Sequence, residues 1–245
     1  MNFPQGIIGP RVDQGDWVNF VFDDSDLTIR LPKVPHNKNN LDDISSLKDF
    51  RAVDTKHWDT NDQEMPCTQL ALQRWNYEHE RTLDDVARAE LYVGLVETDQ
   101  IQQRNNALLC KETFEATMLA WHNKSIGVLH DEKYEQNKNW PALANRYNGI
   151  SIHKEGCDWF VIQLCMSSES KPVNLGMTPI NNRFVLMTFI ELQSLHYAGR
   201  TNPYSDETLK QFERDLFADF LNHIRIDYSP DLIAKIQTLK TKTPA

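Results

Sequence analysis

The chain has 245 residues, 40% of them hydrophobic and 25% charged, which is enough apolar material to bury a core without disulfide or metal support. Its formal charge of −9, with no Lys/Arg-rich stripe, speaks against nucleic acid and anionic membrane surfaces, where affinity comes from neutralising phosphates. No run approaches the roughly 18 apolar residues of a membrane span, and Met1-Asn2-Phe3-Pro4-Gln5-Gly6 lacks the basic start and apolar stretch of a signal peptide, so a cytoplasmic location is expected.

Taken in chain order, Trp17 to Phe22 and Leu27 to Leu31 are β-rich runs separated by the turn-forming acids Asp23-Asp24-Ser25-Asp26, and they predict a hairpin. Leu27, Ile29 and Leu31 share one face of the second run, which makes that strand half-buried, and Pro32 and Pro35 end it. From His36 to Pro66 the chain is polar, and the spacing of Leu41, Ile44 and Leu47 permits one short helix in what otherwise reads as a long surface excursion, a length usually associated with function or mobility.

Thr68 to Tyr77 and Ala89 to Glu97 alternate in the manner of strands and predict a second hairpin with a long tip; a helix over Leu83 to Leu91, capped by Thr82 with Asp84 and Asp85 in its first turn, stays open. Lys111 to His122 carries Phe114, Thr117, Met118 and Trp121 at helical spacing, with Asn123 or Gly127 available to end the helix. The stretch to Asn148 is polar and aromatic-studded, and Trp140-Pro141 fixes an extended step. Gly149 to His153 starts a strand, Lys154 to Cys157 is a turn, and Asp158 to Leu164 is a strand with apolar residues on both faces, hence central in its sheet.

Pro172, Gly176 and Pro179 mark a loop before a long β-run from Arg183 to Tyr197. Ser205-Asp206-Glu207 opens a helix with a hydroxyl cap and two acids at the positive end of the dipole, and Leu209, Phe212, Leu216, Phe217, Phe220 and Leu221 form its buried stripe. Ile224, Ile226 and Tyr228 return to a sheet, and the segment ending at Lys240 to Ala245 reads as a solvated tail. No repeat, heptad run or Pro/Gly/Ser-rich linker divides the chain, so one α+β domain over residues 1–245 is expected, built on a mainly antiparallel sheet with packed helices.

Motifs that carry chemistry are sparse. The eight histidines show no H-E-x-x-H or H-x-H grouping, and Cys67, Cys110, Cys157 and Cys165 form no C-x-x-C, so no metal site is expected and the thiols read as reduced. Asp59 to Glu64 superficially suggests a calcium loop, but its sixth position is Glu64 where Gly is needed and its twelfth is Leu70 where Glu is needed. G-x-S-x-G, G-x-G-x-x-G and Walker patterns are missing, so neither a nucleotide cofactor nor a catalytic residue is assigned.

Trp75, Tyr77, Trp121 and Trp159 occupy strand and helix-face positions that suit a core. Trp58 and Trp140 stand in polar stretches instead and are the expected partner contacts, with Asp54, Asp59, Asp62 and Glu64 as an acidic rim around Trp58. Residues 1–64 hold 12 acids against 7 bases, so the negative field is concentrated at that end and would steer a basic protein partner.

Leu27-Thr28-Ile29-Arg30-Leu31-Pro32 and the closing pattern from Phe212 through Ile224-Arg225-Ile226, with the strand and helix order between them, resemble the Mog1/PsbP/DcrB-type α/β sandwich. That resemblance implies a binding role without a shared catalytic constellation, and it extends to bacterial immunity proteins that inhibit secreted effectors. The expected function is thus a non-enzymatic cytosolic protein-binding module of the immunity type. The competing readings are a hydrolase-type enzyme whose His, Asp and Glu residues converge in the fold and an assembly adaptor.

Overall fold

A computed structural model describes residues 3–34, 43–60, 66–98, 103–121, 150–154, 157–164, 173–195 and 202–242. Twelve strands lie among these residues: β1 Ile7–Ile8, β2 Asp16–Val21, β3 Ser25–Leu31, β4 Asp43–Ile44, β5 Asp59–Thr60, β6 Pro66–His79, β7 Asp85–Glu97, β8 Ile150–Lys154, β9 Cys157–Leu164, β10 Val173–Pro179, β11 Phe184–Ser194 and β12 Ile224–Tyr228. Helices run over residues 111–121 (α1), Asp206–Leu221 (α2) and Pro230–Lys242 (α3).

The larger sheet has the order β1-β6-β7-β11-β10-β9-β8, with β4 and β5 also on β6, and every ladder in it is antiparallel. A smaller antiparallel sheet has the order β12-β3-β2. The protein is therefore α+β and mainly antiparallel, as the strand alternation and the separate helical periods predict.

Both faces of the larger sheet are buried, each by different elements. On one face Leu70, Trp75, Tyr77, Leu91 and Phe184 join the stripe of α2 and the inner faces of β2, β3 and β12 in one contiguous core. The opposite face carries Phe160, Ile162, Leu175, Met187 and Phe189, packed with Phe114 and Met118 of α1. This two-sided burial explains why β9 has Trp159 and Val161 on one side and Phe160 and Ile162 on the other, all four buried. β9 lies between β8 and β10, so its predicted central position is observed.

Several expectations need correction. Ile44 pairs with Ala71 of β6 as part of a two-residue strand, so the described part of the proposed 41–47 helix is not helical; Leu41 and Asp42 lie outside the described residues. Over residues 43–60 the polar excursion is tied down, because the Phe50 amide donates to the Val21 carbonyl at 2.7 Å and its fully buried ring stacks on Phe22 at a centroid distance of 5.1 Å. One aromatic in a polar stretch is enough to anchor it.

The β6–β7 hairpin has a short connection, not a long tip, and β7 begins at Asp85, which removes the helix alternative over 83–91; Leu83 takes the left-handed φ of 57° that the tight turn requires. Val173–Pro179 is a strand where a loop was expected. Its Gly176 reads as a turn signal, but a Cβ there would come 3.0 Å from the Phe217 ring and 3.3 Å from Trp159, so glycine marks a close approach of α2 to the strand. The segment after Tyr228, expected to be a solvated tail, is the helix α3 through Lys242. The Ser229 hydroxyl accepts from the Leu232 amide at 3.2 Å, Pro230 takes the first helical position, and Leu232 is buried.

Candidate functional site

Trp58 is half-buried, its ring edge-on to Phe50 at 6.1 Å and tilted on Phe184 at 5.8 Å. Asp54 is exposed and caps the short turn at Thr55–His57 by accepting from the Lys56 amide at 3.1 Å. Asp59 forms the start of β5 on the edge of β6, and its side chain lies outside the described residues, as do Asp62, Glu64 and Trp140 altogether. Of the expected acidic rim the structure thus places only Asp54 near Trp58 in the chain, and it places the indole largely against the core.

The exposed tryptophan among the described residues is Trp17. In β2 and the residue after it the alternation sends Val18, Phe20 and Phe22 inward, so Trp17 and Asn19 fall on the solvent side of the smaller sheet. Trp17 is 42% exposed. It lies opposite Arg30 of β3 in register, and the Arg30 guanidinium carbon sits 5.4 Å from the indole centroid while that of Arg225, from β12, sits at 5.2 Å. His223 approaches the same ring at 6.4 Å. Arg30 is held in turn by donating from Nε to the Gly15 carbonyl at 3.1 Å.

These contacts fix an indole that would otherwise sample several rotamers, with each cation–π contact worth about 0.5–1 kcal/mol at an exposed site. The same face carries Asp26 and Asp227, paired across β3 and β12. Thus Trp17 is an exposed aromatic with two guanidiniums over its ring, on a sheet face that carries acids farther along β3 and β12. Sequence reading placed Trp17 in its strand but assigned it no role. The signal was available in Val18, Phe20 and Phe22, whose apolar face leaves Trp17 on the polar one.

Elsewhere, α1, the start of β9, Pro179, Asn181, Tyr228 and α3 enclose a cleft of about 260 Å³. Its wall is apolar, including Leu108, Phe114, Phe160 and Ile236, while Glu115, Asp158 and Lys111 are the charged residues among the described ones that line it. Ser151 donates its hydroxyl to Glu115, and His153 Nδ1 lies 2.8 Å from Asp158 Oδ1. Tyr228 donates to the Pro179 carbonyl at 2.9 Å, and burial pushes its phenol well above the usual tyrosine range.

No group of three or more His, Cys, Asp or Glu stands close enough to hold a metal ion among the described residues, and none of their helices is long and apolar enough to cross a membrane. Fold and surface together define an α+β protein with an open aromatic sheet face and a separate apolar cleft. No protein-family model, curated protein or solved structure matches the chain.

Proposed function

We propose that the chain is a cytosolic protein-binding module, of the immunity-type inhibitor class within the Mog1/PsbP/DcrB-like sandwiches, and that its contact surface is the outer face of β12-β3-β2. The observation that carries this reading is exposed Trp17 with the guanidiniums of Arg30 and Arg225 over its ring. Trp and Arg dominate the residues that carry binding energy in protein interfaces, and an indole already fixed by its neighbours loses little entropy on docking.

Steering and contact are separate here. The net charge of −9 draws a basic partner by its long-range field. At contact, the guanidinium donors not used on Gly15 need carboxylate or carbonyl acceptors, and the indole needs an apolar recess.

Affinity capture with the wild-type protein and with Trp17→Ala tests the reading. The expected result is a specific basic protein retained by wild type and lost with Trp17→Ala, at unchanged circular dichroism and Tm. Undiminished retention by Trp17→Ala would sink the assignment of this face. An effector whose toxicity is neutralised in the complex distinguishes the inhibitor from an assembly adaptor, whose partner is structural.

The hydrolase reading keeps one observation in its favour, the His153–Asp158 pair at the cleft, where an acid that orients a histidine is the arrangement a general base requires. Hydrolysis of small ester or amide substrates by the isolated protein, abolished by His153→Ala, would replace the binding reading with this one.

A further inference from the structure

The cleft between α1, β9 and α3 is remote from the role given to Trp17, and nothing in the binding reading uses it. Its volume, about 260 Å³, equals roughly nine water molecules at their share of liquid volume, room for one ring with a short chain. Apolar side chains from three separate elements, Phe114, Phe160 and Ile236 among them, form its wall. Ile233 of α3 lines it too and is 43% exposed, an aliphatic surface turned to solvent where a helix face would ordinarily be polar.

Two carboxylates line this apolar wall, and among the described residues Glu115 accepts from the Ser151 hydroxyl and Asp158 meets one nitrogen of His153. An ionised carboxylate has about four acceptor positions, so these contacts leave both with capacity for a further donor. Lys111 is the only lysine or arginine among the described residues lining the cleft, so that described lining carries more carboxylates than such cations. A wall that takes a hydrophobic body, bordered by acceptors of net negative charge, matches a small amphipathic amine: an apolar or aromatic group bearing a protonated nitrogen.

We propose that this cleft is a binding site for a small apolar-bodied primary amine, whose ammonium is taken by Glu115 and Asp158 and whose hydrocarbon portion lies against Phe114, Phe160 and Ile236. The site is independent of the Trp17 surface, and it is read by binding, so it stands whether or not the cleft also performs chemistry.

The test uses the full chain and three probes of similar size: phenethylamine, the neutral phenethyl alcohol and the anionic phenylpropionate. Two-dimensional NMR titration measures affinity and maps the contact. Saturable shifts centred on Phe114, Phe160 and Tyr228 are expected with the amine, at least tenfold tighter than with the alcohol, and weakened at least threefold by Glu115→Gln and by Asp158→Asn. Both substitutions are at solvent-facing groups, and a wild-type-like spectrum of each apo variant confirms that folding is retained. Equal binding of amine and alcohol, tighter binding of phenylpropionate, or shifts confined to other surfaces would each overturn the proposal. So would undiminished amine affinity in both variants.

Discussion

At Asp49 a carboxylate half exposed to solvent is nevertheless held well below its ordinary range, to about 2. The side chain of Arg51 is the first cause, reaching Oδ1 with Nε at 3.0 Å and Oδ2 with Nη2 at 2.6 Å, and the Arg51 amide adds a third donor at 3.0 Å. The folded-state value lies below that of the unfolded chain, about 3.9. The pair therefore contributes stability at pH above about 4, and that contribution is lost as pH falls through about 2. NMR titration of Asp49 in Arg51→Ala should show its midpoint rising toward the ordinary carboxylate value; an unmoved midpoint would refute the guanidinium as cause. Gly15 is constrained in a different way. Its φ of −76° suits any residue, but a Cβ would lie 1.9 Å from the Leu31 carbonyl oxygen, where β3 ends. Backbone cannot yield as a side chain can, so Gly15→Ala should cost about 1–3 kcal/mol or more in urea unfolding. This glycine looked ordinary in the sequence because the atom it makes room for is 16 residues away.

The helices show what local signals can and cannot report. In α2 the cap, the acids and the stripe were all legible: Ser205 accepts from the Thr208 amide at 3.1 Å, and Leu209, Phe212, Leu216, Phe217, Phe220 and Leu221 are all buried. Ser205→Ala should cost about 1 kcal/mol. Phe212→Ala, which empties a site shared with Phe3 and Tyr77 at 5.3 and 4.9 Å, should cost about 3–5 kcal/mol. A Phe212 variant no less stable than the Ser205 variant in thermal unfolding would contradict the central place of α2 in the core. For α3 the cap and the proline at its first position were equally visible in Ser229-Pro230-Asp231, but its weak stripe beside a polar end concealed it. β10 was hidden for the opposite reason. Asn174, Gly176 and Pro179 carry turn chemistry, and only the ladders to β9 and β11 override it.

Across the molecule, three tyrosines from β6, β7 and β12 are withdrawn from water, Tyr77 completely and Tyr92 and Tyr228 in part, and burial raises all of them, Tyr92 to about 12 and Tyr77 and Tyr228 further. The sign follows from linkage: these phenols titrate near 10 in the unfolded chain and higher in the folded one. Their contribution to stability is present below pH about 10 and is lost as pH rises through about 12. Phenolate absorbance should therefore develop together with loss of near-ultraviolet circular dichroism, as one transition; full ionisation near pH 10 with the fold intact would show that the core admits water. Tyr77 and Tyr228 also bridge parts distant in sequence, since their hydroxyls donate to the carbonyls of Pro10 at 3.2 Å and Pro179 at 2.9 Å. From local periodicity alone, the sequence determined the hairpin of β2 and β3, the two-faced β9, the long β11 and the buried stripe of α2, because spacing and capping are properties of a few consecutive residues. The partition into two sheets, the strand identity of β10, the packing of Trp58 on Phe50 and Phe184, and the meeting of Trp17 with Arg225 were decided only in three dimensions. Each depends on contacts between residues far apart in the chain, and a contact of that kind leaves no period in the sequence that makes it.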